Sequence, residues 1–178
     1  MGRSRYKFHE SYYPYFITST ILEELPILCK PQVAQILLDQ FVFMQQNKNV
    51  ILYSYVIMPN HFHAIVKSDD LSNSLRLTKS YAARRILTYL KDNGHSRWLT
   101  KLKFNKRNHK VGRTYQVWEE GLHPKQLISN KMVAQKMEYV HFNPVKSGFV
   151  DKPEDWRYSS ARDYSGMDGL IPVTLFEG

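Results

Sequence analysis

YVIMPNHFHAIVK, residues 55–67, places two histidines one residue apart inside a stretch that otherwise reads as strand. Side chains at i and i+2 of a strand point to the same face. His61 and His63 therefore stand side by side on one side of a sheet, while Phe62, Ala64 and Val66 point to the other, where a core wants them. Pro59-Asn60 is a turn signal. It makes residues 49–58, NVILYSYVIM, the hairpin partner of HFHAIVK.

Working outward, YYPYFITSTIL (12–22) is aromatic and β-branched and predicts a first strand. Pro31 suits a first helical position. From it Val33, Leu37, Phe41 and Met44 recur at helical spacing to about Gln46. After the hairpin, Ser72 or Asn73 can cap a second helix, with Leu71, Leu75, Ala82, Ile86 and Leu90 on its apolar face and Gly94 as its stop. TYQVW (114–118) is the fourth strand candidate. Ser129 or Asn130 can cap a third helix to about Phe142, ended by Asn143-Pro144 because the residue before a proline avoids the helical region. PEDWRYSSARDY (153–164) reads as a short final helix. The expected class is α+β: a ferredoxin-like βαββαβ sandwich with an antiparallel sheet, two helices on one face, and an extra C-terminal helix. The other face is expected to be open, with His61 and His63 projecting there.

The chain has 178 residues, 43% hydrophobic, which suits one domain spanning 1–178 with a real core. No apolar run reaches the roughly 18 residues that span a bilayer, so no membrane association is expected. The basic N-terminus lacks the apolar region of a signal peptide, and Tyr6 falls where a myristoylation signal prefers Ser or Thr. A single cysteine, Cys29, cannot form an internal disulfide; a reducing, cytoplasmic setting and a core-filling role are expected for it.

The formal charge of +9 predicts a polyanionic partner, nucleic acid before anionic membrane. Residues 91–113 hold eight Lys/Arg and one Asp, most of that excess. Arg97, Lys101, Lys103, Lys106, Arg107, Lys110 and Arg113 can neutralise phosphates, and the interleaved Trp98 and Phe104 can accept unstacked bases. Arg76, Lys79, Arg84 and Arg85 on the second helix extend the patch. The pattern specifies neither DNA nor RNA, and a solvated loop whose charges only aid solubility is the plainer alternative.

Two histidines alone make a poor metal site, and a third protein ligand is the usual completion. On the third helix Val133, Met137 and Val140 form the apolar stripe. Tyr139 and Asn143 lie together on another face, one turn apart, with Gln135 before them. Two imidazoles and an amide oxygen make a mixed N/O site suited to Mg²⁺ or Mn²⁺. A cation there could polarise a phosphodiester for attack by the tyrosine. Each part also has a plainer account. The histidines can be surface or hydrogen-bonded residues, Tyr139 can be packing, and Asn143 can be a helix end. His141 should point away from Tyr139. His123 reads as structural, and Trp118, Trp156 and Tyr158 as packing residues.

MPNHFHAIV resembles the His-hydrophobic-His motif of the single-tyrosine, single-strand DNA transposases. YVHFNPVKSGFV resembles the block that carries their tyrosine. WEEGLHPKQL and PEDWRYSSARDY resemble blocks of the REP-associated tyrosine transposases, and the four occur in that family's order across roughly residues 10–164. The resemblance implies that His61, His63 and Asn143 hold Mg²⁺ or Mn²⁺. It implies that Tyr139 forms a 5′-phosphotyrosine and frees a 3′-hydroxyl. Single-stranded or hairpin DNA would be the substrate, cut and rejoined beside palindromes in a bacterial cytoplasm. Either a monomer or a homodimer exchanging tyrosine helices is compatible with it. Two other readings are a palindrome-binding module with a silent site, and a replication-initiator or relaxase-like nicking enzyme. The latter usually brings further domains.

Overall fold

A computed structural model describes residues 10–121 and 124–178; the N-terminal readings and His123 lie outside these. The sheet is antiparallel, in the order β2-β3-β1-β4, with β1 Tyr15–Thr20, β2 Ile51–Ile57, β3 His61–Lys67 and β4 Lys125–Gln126. Helix α1 runs Pro31–Asn47 and α2 Leu71–Asp92, both on one face. This is the expected α+β architecture, and its centre is the predicted hairpin. Phe62, Ala64 and Val66 of β3 enter a core with Ile17, Leu37, Phe41, Tyr55, Leu75, Ala82 and Ile86. A bulge between Leu52 and Ser54 shifts the phase of β2, so Leu52 and Tyr55 face the same core although three residues apart. Among the described residues no helix is long and apolar enough to cross a membrane.

The elements around this centre depart from the sequence reading in ways that have physical causes. TYQVW is not a strand. Only Trp118 bridges Ile21, with Leu22 N–H donating to Val117 C=O and Glu119 N–H to Thr20 C=O. The chain then turns through Gly121, φ +82°, and returns lower on the same edge as β4, where Gln126 and Lys125 pair with Tyr15 and Phe16. One edge of β1 is thus shared by two short pieces instead of one strand. The basic stretch 91–113 is not all loop. Helix α3, Ser96–Phe104, runs through it, with Leu102 buried and Trp98 and Leu99 packed on the main core. Helix α2 begins at Leu71, ahead of the expected caps Ser72 and Asn73; Asp70 stands at the N-cap position without a side-chain capping bond, its carboxylate accepting from Asn73 Nδ2 at 3.0 Å.

Helix α4, Asn130–Lys146, starts as expected, with Ser129 Oγ accepting from Met132 N–H at 3.3 Å, but it continues through Pro144. Proline removes one intrahelical donor. Burial of Val140, His141 and Pro144 holds the last turn regardless. The true stop is Gly148, φ +74°, beyond which Phe149 N–H returns to Pro144 C=O at 2.9 Å. The segment 153–164 is not one helix. A 3₁₀ turn, Pro153–Asp155, and α5, Ala161–Tyr164, flank an extended stretch on the free edge of β2. There Ile57 N–H donates to Tyr158 C=O at 2.8 Å and Ser160 N–H to Tyr55 C=O at 3.0 Å. That covers an otherwise open strand edge. Trp118, Trp156 and Tyr158 are packing residues, as expected. Cys29 is not core: it is exposed at the end of a 3₁₀ turn whose Ile27 and Leu28 take the buried positions.

The second face of the sheet is not open. Helix α4 lies across β2 and β3 over a smaller core of Phe16, Val56, Met58, Ile65, Leu127, Val133 and Val140. The apolar stripe predicted for this helix, Val133, Met137 and Val140, is the surface that docks.

Candidate active site

The histidines face this second layer, and the strand register decides what they meet. Thr18 lies opposite His63 and Thr20 opposite His61, while Phe16 pairs with Ile65 one step along. Cross-strand partners share a face. Thr18 Oγ1 and His63 Nδ1 accordingly share a hydrogen bond of 2.7 Å. His61 Nδ1 pairs with Asn60 Oδ1, also at 2.7 Å, in the hairpin turn. The two imidazole centroids are 4.7 Å apart. Both rings are thus anchored through Nδ1, and among the described residues neither Nε2 has a hydrogen-bond partner.

His63 is only 5% exposed. Burial, then the neighbouring His61 and Lys136, push its pKa down to about 3. Burial also lowers that of His61, against a smaller opposing effect of the Glu24 carboxylate. Both imidazoles are therefore neutral near pH 7, the form that binds a metal.

Helix α4 delivers the phenol. The ring of Tyr139, 37% exposed, stands 5.3 Å from that of His63 and 5.8 Å from Phe16. Phe16 stacks on His63 at 5.1 Å, so it wedges between strand and helix. Tyr139 is held from the side by packing while part of it reaches solvent. Asn143 is half-buried one turn further along α4, and its carbonyl accepts from Ser147 N–H. The contacts that join Tyr139 to the histidine pair do not extend to Asn143. Gln135 is exposed. His141 points away from Tyr139, as the helical angle requires. It is buried, with Nε2 2.9 Å from Ser160 Oγ and its pKa pushed down to about 4 by burial.

Three side chains that sequence reasoning passed over belong here. Lys136 places Nζ 4.6 Å from the centroid of Phe16 and 4.7 Å from that of Tyr139. Lys146 places its own 5.8 Å from Tyr139. Thr18 orients His63. Helical spacing could have found the lysines, because positions 136, 139, 143 and 146 follow one line of a helix. Thr18 depended on the strand register, which the sequence alone leaves open.

The residues fit a divalent cation in donor chemistry. They offer two neutral imidazoles whose second nitrogens are fixed by outer partners, as metal-binding histidines usually are. Among the described residues no three His, Cys, Asp or Glu side chains converge. Further ligands would have to be amide oxygen, water or substrate, which suits an oxygen-preferring ion.

The basic residues divide into groups. Arg76, Arg84 and Arg85 are exposed on α2, and Arg97, Lys101 and Lys103 on α3. Arg113 is also exposed. Arg107 pairs with Glu119 at 3.3 Å and Lys110 with Glu120 at 2.9 Å. Lys106 Nζ donates to Lys110 C=O at 3.1 Å. Lys79 lies over the Trp118 ring, 5.6 Å from its centroid, and burial followed by Lys110 lowers its pKa to about 8. Trp98 packs on the core, whereas Phe104 is 86% exposed at the end of α3.

An antiparallel α+β sandwich with paired strand histidines facing a tyrosine-bearing helix is the class that emerges. The solved structure of a REP-associated tyrosine transposase bound to a REP hairpin is similar in fold, with a TM-score of 0.65 over 99% of this chain and 96% of that one. At 19% identity that match shows a common fold. The chain is also 31% identical, over 106 residues, to a Haemophilus influenzae protein named for the REP-associated tyrosine transposases. The aligned part is 58% of this chain and about half, 54%, of that relative. No family model matches the sequence. The resemblance read from the motifs to REP-associated tyrosine transposases is thus met again in sequence and in fold.

Proposed function

We propose that the chain, acting as one domain in a bacterial cytoplasm, is a metal-dependent single-strand DNA transposase or endonuclease of the REP-associated kind. It would cut and rejoin DNA beside a hairpin. The observation that carries this is the packing of the Tyr139 ring on His63, itself paired with His61. Nucleophile and candidate metal ligands come from different elements and meet at one place.

The phenol oxygen of Tyr139 displaces the 3′ oxygen of a phosphodiester. A P–O bond to tyrosine forms, the bond to the 3′ oxygen breaks, and the phenol proton ends on the departing 3′-hydroxyl. Because the phosphate stays covalently held, the bond energy is kept and the cut can be reversed by a hydroxyl from another end. His61 and His63 would hold Mg²⁺ or Mn²⁺, with Asn143 as the further ligand that the family resemblance suggests. When bound, the ion supplies polarisation and charge neutralisation at the phosphate. Thr18 and Asn60 keep the imidazoles oriented, and Phe16 limits water on the strand side. Tyr139 reaches His63 of its own chain, which supports a complete site in a monomer. The exposed cations of α2 and α3 would grip the DNA.

The test is to incubate the protein with labelled single-stranded hairpins copied from palindromes near its own gene, with Mg²⁺, and look for a protein-linked product. Tyr139→Phe should abolish the adduct while leaving hairpin binding largely intact, and chelation should stop cleavage. A wild-type yield of adduct from Tyr139→Phe would refute the nucleophile. Binding without any adduct from the wild-type chain would mean a silent recognition module.

A further inference from the structure

We infer that Lys136 and Lys146 form a phosphate-binding strip that lays a single strand of DNA along α4, across the face of Tyr139. This rests on the strand-cutting reading of the same site.

Lys136 is the starting point. Its ammonium is drawn over two aromatic faces at once, those of Phe16 and Tyr139. Ring faces attract a cation but do not neutralise it. Among the described residues it has no carboxylate partner, whereas Arg107 and Lys110 of the basic stretch do. A further cation crowds it. Lys125 of β4 lies opposite Phe16 in register and lowers the pKa of Lys136, after burial. Lys146 reaches the Tyr139 ring as well. The helix thus presents Lys136, Tyr139, Asn143 and Lys146 along one line of its surface.

Cations gathered around a packed, partly exposed phenol, with no acid paired to Lys136 among the described residues, leave a place for an anion to join them. The anion this place would receive is the one the phenol attacks. A phosphodiester chain suits the strip because successive phosphates repeat along a strand, as the two lysines repeat along the helix. A solvated lysine pair would serve solubility equally well from any exposed position. Contact with the aromatic wall of the candidate site distinguishes these two.

The test uses the full chain in the Tyr139→Phe background, so that binding is read without cutting. Two probes are compared across salt concentrations: a DNA hairpin copied from a palindrome beside the chain's own gene, and the same hairpin with a short single-stranded flank. Lys136→Gln should weaken the flanked probe on the order of tenfold. It should also make the salt slope shallower by about 0.7, the loss of one single-strand phosphate contact. The bare hairpin should bind as before, and Lys146→Gln should act the same way but less strongly. Lys136→Arg should restore most of the loss, which a purely packing role would not predict. An equal effect on both probes, no effect on either, or no binding of the flanked probe would overturn the inference. If the flank effect appears while the unaltered chain forms no adduct, the strip stands and the strand-cutting reading falls.

Discussion

On one face of the sheet Ile17, Phe62 and Ala64 meet α1 and α2; on the other, Phe16 and His63, drawn from the same two strands, meet Tyr139 of α4, with His61 beside His63. The first face is continuous, and its most deeply buried large side chains, Phe41 and Tyr55 among them, are under 2% exposed. The second carries a short apolar patch that ends where the histidines begin. The alternation of β1 and β3 sends every second residue to a face whose purpose is burial. It sends the others to a face where Phe16, His63 and Ile65 are buried but Thr18 and His61 are only partly so, beside the partly exposed Tyr139 of α4. A small packed patch is enough to seat α4 against the sheet. Had it been larger, it would have covered the positions that His61 and His63 occupy.

The sharpest way to break this contrast is to damage each face in turn. Phe41→Ala, in the middle of the first core, should cost about 3–5 kcal/mol of unfolding free energy, read by denaturant titration. Cleavage measured well below the new melting point should survive. His63→Ala on the second face should do the reverse. Stability should fall by only about 1–2 kcal/mol, while metal-dependent cleavage should drop below detection. If both variants lost stability equally and kept cleavage in proportion to folded protein, the two faces would not differ in purpose.

Much of the first face and the heart of the second were legible in thirteen residues. Strict alternation in HFHAIVK forces two populations of side chains, and the turn Pro59-Asn60 makes the hairpin. The partners of those residues were harder to see. That α4 would close the second face depends on how Val133 and Val140 dock, and an apolar stripe does not say which surface it will cover. The fourth strand was sought in TYQVW because its residues favour strands, but its backbone pairs with only the end of β1. The two residues that complete the sheet, Lys125 and Gln126, carry no strand preference and are held there by β1 itself. Helix α3 was hidden because lysines fill the exposed side of Trp98, Leu99 and Leu102, so charge density outweighed helical spacing. Lys136 was overlooked because Gln135 shared a helical line with Tyr139, while the longer lysine side chain, three residues before Tyr139, reaches the ring.

A smaller effect sharpens the second face alone. Thr18→Val keeps shape and removes the hydroxyl that shares a proton with His63 Nδ1. The affinity for the ion that supports cleavage should fall roughly 10–100-fold, read by titrating Mg²⁺ into a single-turnover assay. Melting should barely change. A cleavage rate unaltered at limiting Mg²⁺ would show that His63 needs no partner to be oriented.

Acid probes the far end of the same face. His141 is held neutral by burial, with its pKa near 4 against 6.5 when unfolded. Below pH 6.5 the unfolded chain takes up a proton that the folded one refuses, so unfolding free energy falls as pH falls through that window. The loss should reach about 2 kcal/mol by pH 5 and level off below about pH 4. His141→Gln, which can still donate to Ser160 Oγ, should remove that share of the slope in metal-free protein. An unchanged slope would place the acid sensitivity in the His61–His63 pair instead.

The smallest effect concerns the basic helix α3, where two aromatic residues from one stretch have parted. Trp98 is half-buried and packs on the main core, so its loss should be a stability defect. Phe104 is 86% exposed between Lys103 and Lys106, and nothing in the fold requires a large apolar ring there. Stacking on an unpaired base would use it, at about 1 kcal/mol, the low end for a single base contact. Phe104→Ala should therefore weaken hairpin binding several-fold and leave the melting temperature alone, while Trp98→Ala should lower melting first. The sequence could not separate these rings because both are interleaved with the same charges; only the direction in which α3 buries Leu102 sorts them. If Phe104→Ala left DNA affinity untouched while Arg97→Ala and Lys101→Ala weakened it, α3 would grip phosphates only, and base contacts would have to come from the face that bears Tyr139.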